Sequence, residues 1–554
     1  MTPRSLRHRA PLLALVLPWI VGSALAHHDV VPDSPIILAT IAFACLGLAW
    51  AAMLTGGKGT RLVLGSVAVA LVAAGALRTT HDRSRPGEWD ALGLPPREAL
   101  VTLRVERLFA TREPDRSAGI ARVVAAAPHL RDVTGQRISF SITLPDGVSP
   151  PARGAEFGAV GVLAPLPRDP PPASFERALA DLGANFSFDR ARLEGGITPA
   201  GPWRRFCTAG EARLERVLRA GLAHRPELAD LYVAMLLGKK QALSPEQKDA
   251  FVRSGTMHLF AVSGLHIAAI GLAVQTLLTL VRLPGRARFL AGTAILWIYV
   301  EITGSEPSAV RAFWMLTCLF GARQIRAPSN GLSALAASAL VVLLLDPHQL
   351  FTAGFQLSYG IVSALLLYGA PLQERWHEGW RPWSNLPSDA RDWRHHTVDY
   401  AGRAVLGALA LGIAATLVST PATLGFFGLL APAGFLVNLV LIPVSSLVLF
   451  AGLAALLAGL AGLTPLAVLF NHAAAFTLAV MEVIVECALR IPGASWPASF
   501  DPPVLAIAGS AGMLAMLGLG YALGWSPRFG GYWLPAAALA LLLALGLGDA
   551  PVAP

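Results

Sequence analysis

The sequence predicts a polytopic α-helical membrane protein carrying a small β-barrel outside the membrane. Three observations lead there. The chain of 554 residues is 54% hydrophobic and only 14% charged, with a mean hydropathy of +0.56, too apolar for a water-soluble protein of this length. Its apolar runs are separated by short loops that alternate between arginine-rich and acidic or neutral. Between the first runs and the rest lies one long polar segment with the alternating pattern of strands. The net charge of +9 and pI near 9.8 then follow from arginine-rich cytoplasmic loops before any nucleic-acid surface is invoked. The four cysteines, Cys45, Cys207, Cys318 and Cys487, are scattered and give neither a disulfide framework nor a metal pair.

Residues 1–77 hold three apolar runs, Pro11–Ala26, Pro35–Leu54 and Arg61–Leu77, read as amino-terminal transmembrane helices. Arg4, Arg7 and Arg9 before the first run and Ala24-Leu25-Ala26 at its end also suit a cleavable signal peptide. The spans that follow at once favour a retained anchor, and either choice leaves the next residues outside. Lys58 and Arg61 mark the following loop as cytoplasmic, so the third run leads outward again.

Residues 78–205 are too long for an ordinary loop. They contain five runs of period two, beginning near Ala99, Gly119, Arg137, Glu156 and Ala184. In the first, Val101, Leu103 and Val105 point one way while Thr102, Arg104 and Glu106 point the other. Five short strands of this kind suit an OB-like barrel. Its arginines are nearly balanced by acids, which favours a solvated surface over a nucleic-acid groove.

Residues 206–250 turn helical. Leu214, Val217, Leu218 and Leu222 form an i, i+3, i+4 stripe that fits an amphipathic helix on the membrane surface or one packed on a core. Ser244-Pro245-Glu246-Gln247 reads as a capping box with proline at the first helical position. A membrane domain then runs from residue 251 to 492, and carboxy-terminal spans from 493 to 554. Arg282, Arg286 and Arg288, then Arg323 and Arg326, then the loop Ala370–Arg403, then Arg528, all fall on one side. Glu301 to Pro307 and Asp346 to Gln349 fall on the other. The consistency supports about 10 to 13 spans with the amino terminus inside and the barrel outside.

The stretch Ser254–Leu280 concentrates polar groups at the start of an apolar helix: His258, Ser263, Gly264 and His266. Unpaired donors in hydrocarbon cost several kcal/mol on the order of, so these groups face protein or a wet path. Within a straight helix His258 and His266 would stand about 12 Å apart along the axis, too far to share a metal ion. Ser263 and His266, three residues apart, are within reach of one another, and Gly264 suits a close approach or a break in the helix. Interhelical hydrogen bonding is the plainer reading of both histidines. Gly304, Pro307, Ser308 and Arg311 combine a turn with a cation a few residues into an apolar run. That arginine either snorkels to the interface or faces a water-filled path. Gln356 and Ser358 lie early in another span, Asn438 near Pro443 in a broken one, and Asn471-His472 is a candidate proton relay. Glu482, Glu486 and Arg490 are spaced to neutralise one another. No nucleotide-binding glycine loop and no metal-hydrolase motif appears, so no cofactor and no metal site is expected.

Together these motifs resemble the ComEC family of competence channel proteins. Phe251–Ile270 resembles the family's histidine and Ser-Gly-x-His helix, and Gly304–Met315 its Pro-Ser-x-x-Arg-Ala element. Leu345–Gly360 is similar to its Asp-Pro and Gly-Phe-Gln-Leu-Ser element, and the Asn438–Pro443 pair fits a later helix. The resemblance covers about Leu228–Arg490, and more loosely an external OB-like domain. There the family's Asn-Pro-Gly-Phe-Asp stretch appears only as a degenerate segment from Pro170. An external cysteine pair and a metallo-β-lactamase-like domain found in some members are not matched.

The resemblance implies an inner-membrane channel passing single-stranded DNA into the cytoplasm, with His258, Ser263, Gly264, His266, Gly304, Pro307, Ser308, Arg311, Gln356, Ser358 and Asn438 along the path. It implies membrane lipid, an extracytoplasmic DNA receptor, a cytoplasmic ATPase and a separate nuclease as partners, admits an oligomer, and assigns no enzymatic activity to this chain. An intramembrane serine hydrolase built on Ser263, of rhomboid type, and a small-molecule or lipid transporter are the alternatives.

Overall fold

The computed structural model describes residues 10–27, 30, 34–54, 60–83, 89, 95–109, 111, 113, 115–167, 170, 174–326, 330–384 and 391–549. Arg4, Arg7, Arg9, Lys58 and part of the segment from Pro170 lie outside them. The fold has two compact units, one of residues 14–210 with 340–352 and one of 1–13, 211–339 and 353–554.

The first unit begins with helices α1 (Leu13–His27), α2 (Pro35–Leu54) and α3 (Thr60–Arg83). The barrel follows, from β1 (Arg97–Phe109), β2 (Arg116–Ala126), β3 (Arg137–Thr143), β4 (Glu156–Pro165) and β5 (Phe186–Thr198), closed in the order β1-β2-β3-β5-β4. The five alternating runs thus become five strands. Val101, Leu103 and Val105 point inward at 1%, 0% and 1% exposure, joined by Ile138, Phe140, Ile142, Phe157, Phe186 and Phe188. Closure removes the open edges that a sheet of this size would otherwise present. β3 and β5 pair in parallel, Phe140 opposite Phe188, and the crossover this requires holds β4 and α4 (Phe175–Asp181). Trp89 closes the core, its Nε1 donating to Asp132 at 3.0 Å and its ring edge-on to Phe186.

On the barrel's outer face several arginines are paired with acids. Glu106 accepts from Arg122 and Arg137, each at 2.8 Å, and Arg104 pairs with Glu156 at 2.6 Å. Burial raises the Glu106 pKa, but the two guanidinium groups outweigh it and hold the carboxyl below its ordinary range. Arg137 also reaches Asp346 at 3.6 Å, and His348 lies against Gly183, so the Asp-Pro-His-Gln turn of residues 346–349 packs on the barrel.

The second unit is helical. α5 (Pro202–Arg219) enters it, followed by α6 (Pro226–Leu237) and α7 (Pro245–Arg253), whose Ser244 and Gln247 form the expected capping box. Leu214, Leu218 and Leu222 are buried, so the stripe packs on a core instead of lying on a membrane surface. α6 is not amphipathic: Leu231 to Leu237 are all at most 2% exposed, enclosed by its neighbours. Those neighbours include the helical hairpin α15 (Ala433–Leu460) and α16 (Thr464–Leu489), whose ordinals follow the helices between. The intervening helices are α8 (Gly264–Leu280), α9 (Gly285–Ile302), α10 (Pro307–Gln324), α11 (Gly331–Leu345), α12 (Ala353–Ala364), α13 (Ala370–Gly379) and α14 (Trp393–Phe427). α17 (Val504–Ala522) and α18 (Leu534–Gly546) complete the order, with a small sheet of Leu429–Leu430, Trp496–Phe500 and Leu547–Asp549.

Among the described residues six helical segments are long and apolar enough to cross a membrane: Val63–His81, Ala353–Gly379, Trp393–Phe427, Ala433–Leu460, Thr464–Leu489 and Val504–Ala522. Shorter apolar helices add Leu13–His27, Pro35–Trp50, Gly264–Leu280, Gly331–Leu345 and Gly531–Gly546. The protein is therefore a multi-pass membrane protein with a small barrel. Many large apolar side chains remain outward, Leu272, Leu290, Leu436, Phe450 and Phe476 among them, as lipid contact requires.

Candidate functional site

The site is built where α8 and α10 begin. Residues 254–263 do not continue α7 and do not yet form α8, contrary to one straight helix through His258. A turn at Met257–Phe260 carries His258, and α8 starts only at Gly264 with Ser263 as its N-cap. Non-helical backbone enclosed by protein must find partners from its surroundings. Here side chains from other helices supply them. The Ser308 hydroxyl donates to Val262 O at 2.7 Å, and Asn438 Nδ2 reaches Gly255 O at 3.5 Å. Within the stretch, the Thr256 N–H donates to Phe251 O at 2.9 Å, and the Ser254 and Thr256 hydroxyls meet at 2.7 Å. Gly255 is set by its φ of +70°, and the close approach is at Gly434, whose added Cβ would stand 3.1 Å from Ser254 O. Gly264 is not needed for packing, since a Cβ there would meet only Ala312 Cβ at 3.8 Å.

Ser263 and His266 do touch, through a capping box in which histidine stands at the third helical position. The Ser263 N–H donates to His266 Nδ1 at 3.2 Å, and the His266 N–H donates to Ser263 Oγ at 3.4 Å. The same Nδ1 lies 2.6 Å from Ser263 Oγ. An Nδ1 that accepts from a backbone N–H carries no proton in the neutral ring, so the hydrogen sits on Nε2. That Nε2 is buried and has no partner among the described residues. His258, in contrast, is exposed.

Arg311 is the strongest feature. It lies in the second turn of α10, which Pro307 starts and Glu306 caps. Only 5% of it is exposed, and both Nε and Nη1 are buried without a hydrogen-bond partner among the described residues. Snorkelling to an interface would leave its guanidinium solvated, so the buried geometry decides against that expectation. Its terminal nitrogens stand 3.4 and 3.6 Å from where a Cβ on Gly354 would be, against the first turn of α12. Gly354 belongs to a quoted motif but carries no polar atom, so sequence reasoning passed over it. Gln356 and Ser358 follow on α12, partly buried, while Gly304 is exposed with φ +84° in the turn before Pro307. Trp314 Nε1, one helical turn beyond Arg311, is likewise buried without a partner.

Two other polar groups are structural. Asn471 is fully buried, and its Nδ2 donates to Val217 O at 2.8 Å and Ala220 O at 2.9 Å while its Oδ1 accepts from Tyr232 at 3.3 Å. Those bonds cap the end of α5, which accounts for the residue without a proton relay. Glu482 accepts from Gln247 Nε2 at 3.0 Å across α16 and α7, more than mutual neutralisation with Arg490 predicts.

Fold and site define a multi-pass membrane protein with a small β-barrel, whose membrane unit holds a buried, unpaired cation beside helix beginnings and irregular backbone. The chain belongs to the competence protein family: the family described as "Competence protein" matches residues 235–525, the portion that contains this site. It is similar to ComE operon protein 3 of Bacillus subtilis, at 27% identity over 27% of this chain and 19% of that protein. It is also similar to competence protein ComA of Neisseria gonorrhoeae, at 33% identity over 24% of this chain and 20% of the relative. Recombination protein 2 of Haemophilus influenzae matches at 24% identity over 40% of this chain and 27% of the relative. Each match therefore spans between a fifth and about a quarter of the relative's own length. No solved structure matches the chain.

Proposed function

We propose that the protein conducts single-stranded DNA across the cytoplasmic membrane during competence, with its amino terminus inside and the barrel receiving the strand outside. One observation supports this reading: a guanidinium buried in the helical unit with two nitrogens unpaired among the described residues. A charge so placed is costly to keep unless the conducted species is its partner. A polyanionic strand supplies such a partner at every unit. Family membership supports a role in DNA uptake.

In this mechanism Arg311 meets the backbone phosphate. Ser308 and Asn438 hold residues 254–263 open, leaving His258, Ser263, Gly264 and His266 along the path with Gly304, Pro307, Gln356 and Ser358. The barrel arginines that are already paired with glutamates guide the strand little. Driving force comes from a separate ATPase, with lipid around the helices. The test is transformation frequency in Arg311→Ala and His266→Ala strains at matched membrane levels. Frequencies equal to wild type, or a deletion strain that transforms normally, would end this reading. A cysteine placed at Gly264 should react with membrane-impermeant thiol reagents.

The 2.6 Å contact of Ser263 with His266 also suits a nucleophile beside its base. Fluorophosphonate labelling that disappears in Ser263→Ala would favour a hydrolase, whereas the capping geometry predicts no labelling.

A further inference from the structure

The unpaired buried nitrogens of Arg311, the beginning of α12 and the glycine between them carry one step more, which rests on the reading above. α12 runs from Ala353 to Ala364, and the amino-terminal end of such a helix carries partial positive charge. A cation is the wrong neighbour for that end, and yet the Arg311 guanidinium lies against it, at 3.4 and 3.6 Å from the Cβ position of Gly354. Two positive features this close, in a poorly solvated place, repel unless an anion sits between or beside them. Glu306 is the nearest acid along α10, but Arg311 forms no ion pair or hydrogen bond among the described residues.

The unpaired nitrogens have a common character. Arg311 Nε and Nη1 only donate. Donors without acceptors describe a receptor for an oxyanion, and a planar guanidinium matches phosphate oxygens with two parallel bonds. Gly354 is exposed while Arg311 is buried just beneath it. A side chain at 354 would come within 3.4 Å of Nη2 and lie over the guanidinium.

We propose that Arg311 and the first turn of α12 form a built oxyanion site for one phosphodiester of the conducted strand, kept open by the absence of a side chain at Gly354. The site reads the backbone and not the bases. A strand therefore passes regardless of sequence, and a polymer with an uncharged backbone is refused.

The test uses the full chain purified in a maltoside detergent, free of phosphate. The probe is a fluorescein-labelled oligomer of abasic phosphodiester units, followed by anisotropy. Wild type should bind it, and an uncharged peptide nucleic acid carrying ordinary bases should not compete. Arg311→Gln should weaken binding about tenfold or more, as loss of a charge-assisted bidentate contact implies. Gly354→Val should weaken it comparably although the arginine is intact, and it serves as the second variant should Arg311→Gln fail to fold. Equal binding by wild type and both variants, or full competition by the uncharged oligomer, would overturn the proposal. Micelles doped with phosphatidylglycerol separate the sources of phosphate. If that headgroup displaces the probe from wild type at least as well as an unlabelled strand does, the oxyanion site stands. The conduction of DNA through it would then fall.

Discussion

Asn471 offers the most direct test of how the membrane unit is held together. Its side chain makes two donated bonds to the carbonyls of Val217 and Ala220, at 2.8 and 2.9 Å, and accepts one from Tyr232, with 0% of the residue exposed. The last carbonyls of a helix lack partners within it, and at the end of α5 the fully buried Asn471 side chain supplies them. Each buried group left unpaired costs about 1–3 kcal/mol, and the three are coupled, so Asn471→Ala should destabilise by about 3–5 kcal/mol. Asn471→Asp is the sharper variant. It keeps the size but turns a donor into an oxygen facing two carbonyl oxygens, and should be at least as damaging. Tyr232→Phe removes only the longest of the bonds and should cost about 0.5–1.5 kcal/mol. The assay is the temperature at which the purified protein loses its monodisperse size-exclusion peak, paired with trypsin cleavage at Arg219 and Arg225. Both readouts should move strongly for Asn471→Asp and slightly for Tyr232→Phe. An Asn471→Asp protein with the wild-type midpoint would refute the capping argument.

Further predictions concern the barrel and the packing. Glu106 titrates below the ordinary carboxylate range, because Arg137 and Arg122 outweigh the effect of its burial. Its stabilisation should be complete above the unfolded value of about 4.3 and fade as pH falls through the lowered folded value. Hydrogen exchange of residues 97–143 across that window should show the loss, and Glu106→Gln should start less protected and lack the step. Gly452→Val should fail to accumulate in membranes, since its Cβ would overlap Leu236 Cδ1 and press on Tyr232 OH at 3.1 Å. Ser308→Ala leaves the Val262 carbonyl without its 2.7 Å donor and should increase protease cleavage within residues 254–263. Gly264→Ala should leave that cleavage unchanged, because the new methyl meets nothing nearer than 3.8 Å.

The alternation of Val101, Leu103 and Val105 with Thr102, Arg104 and Glu106 was enough to place strands and their inner faces, because a closed barrel demands that period of every strand. The capping box at Ser244 involves residues three apart and was equally legible, whereas Ser263 and His266 were legible only as neighbours and not as the start of a helix. Apolar length gave the membrane class, since nothing but lipid tolerates so much outward-facing leucine and phenylalanine. What depended on distant parts of the chain could not be read this way. The break before Gly264 is held by Ser308 and Asn438, the end of α5 by Asn471, and Arg311 is set against Gly354. The partners in these pairs lie tens to hundreds of positions apart, and no periodicity links them. Sequence marks where polar atoms enter an apolar helix; only the packing of the helices decides which of those atoms find partners and which do not.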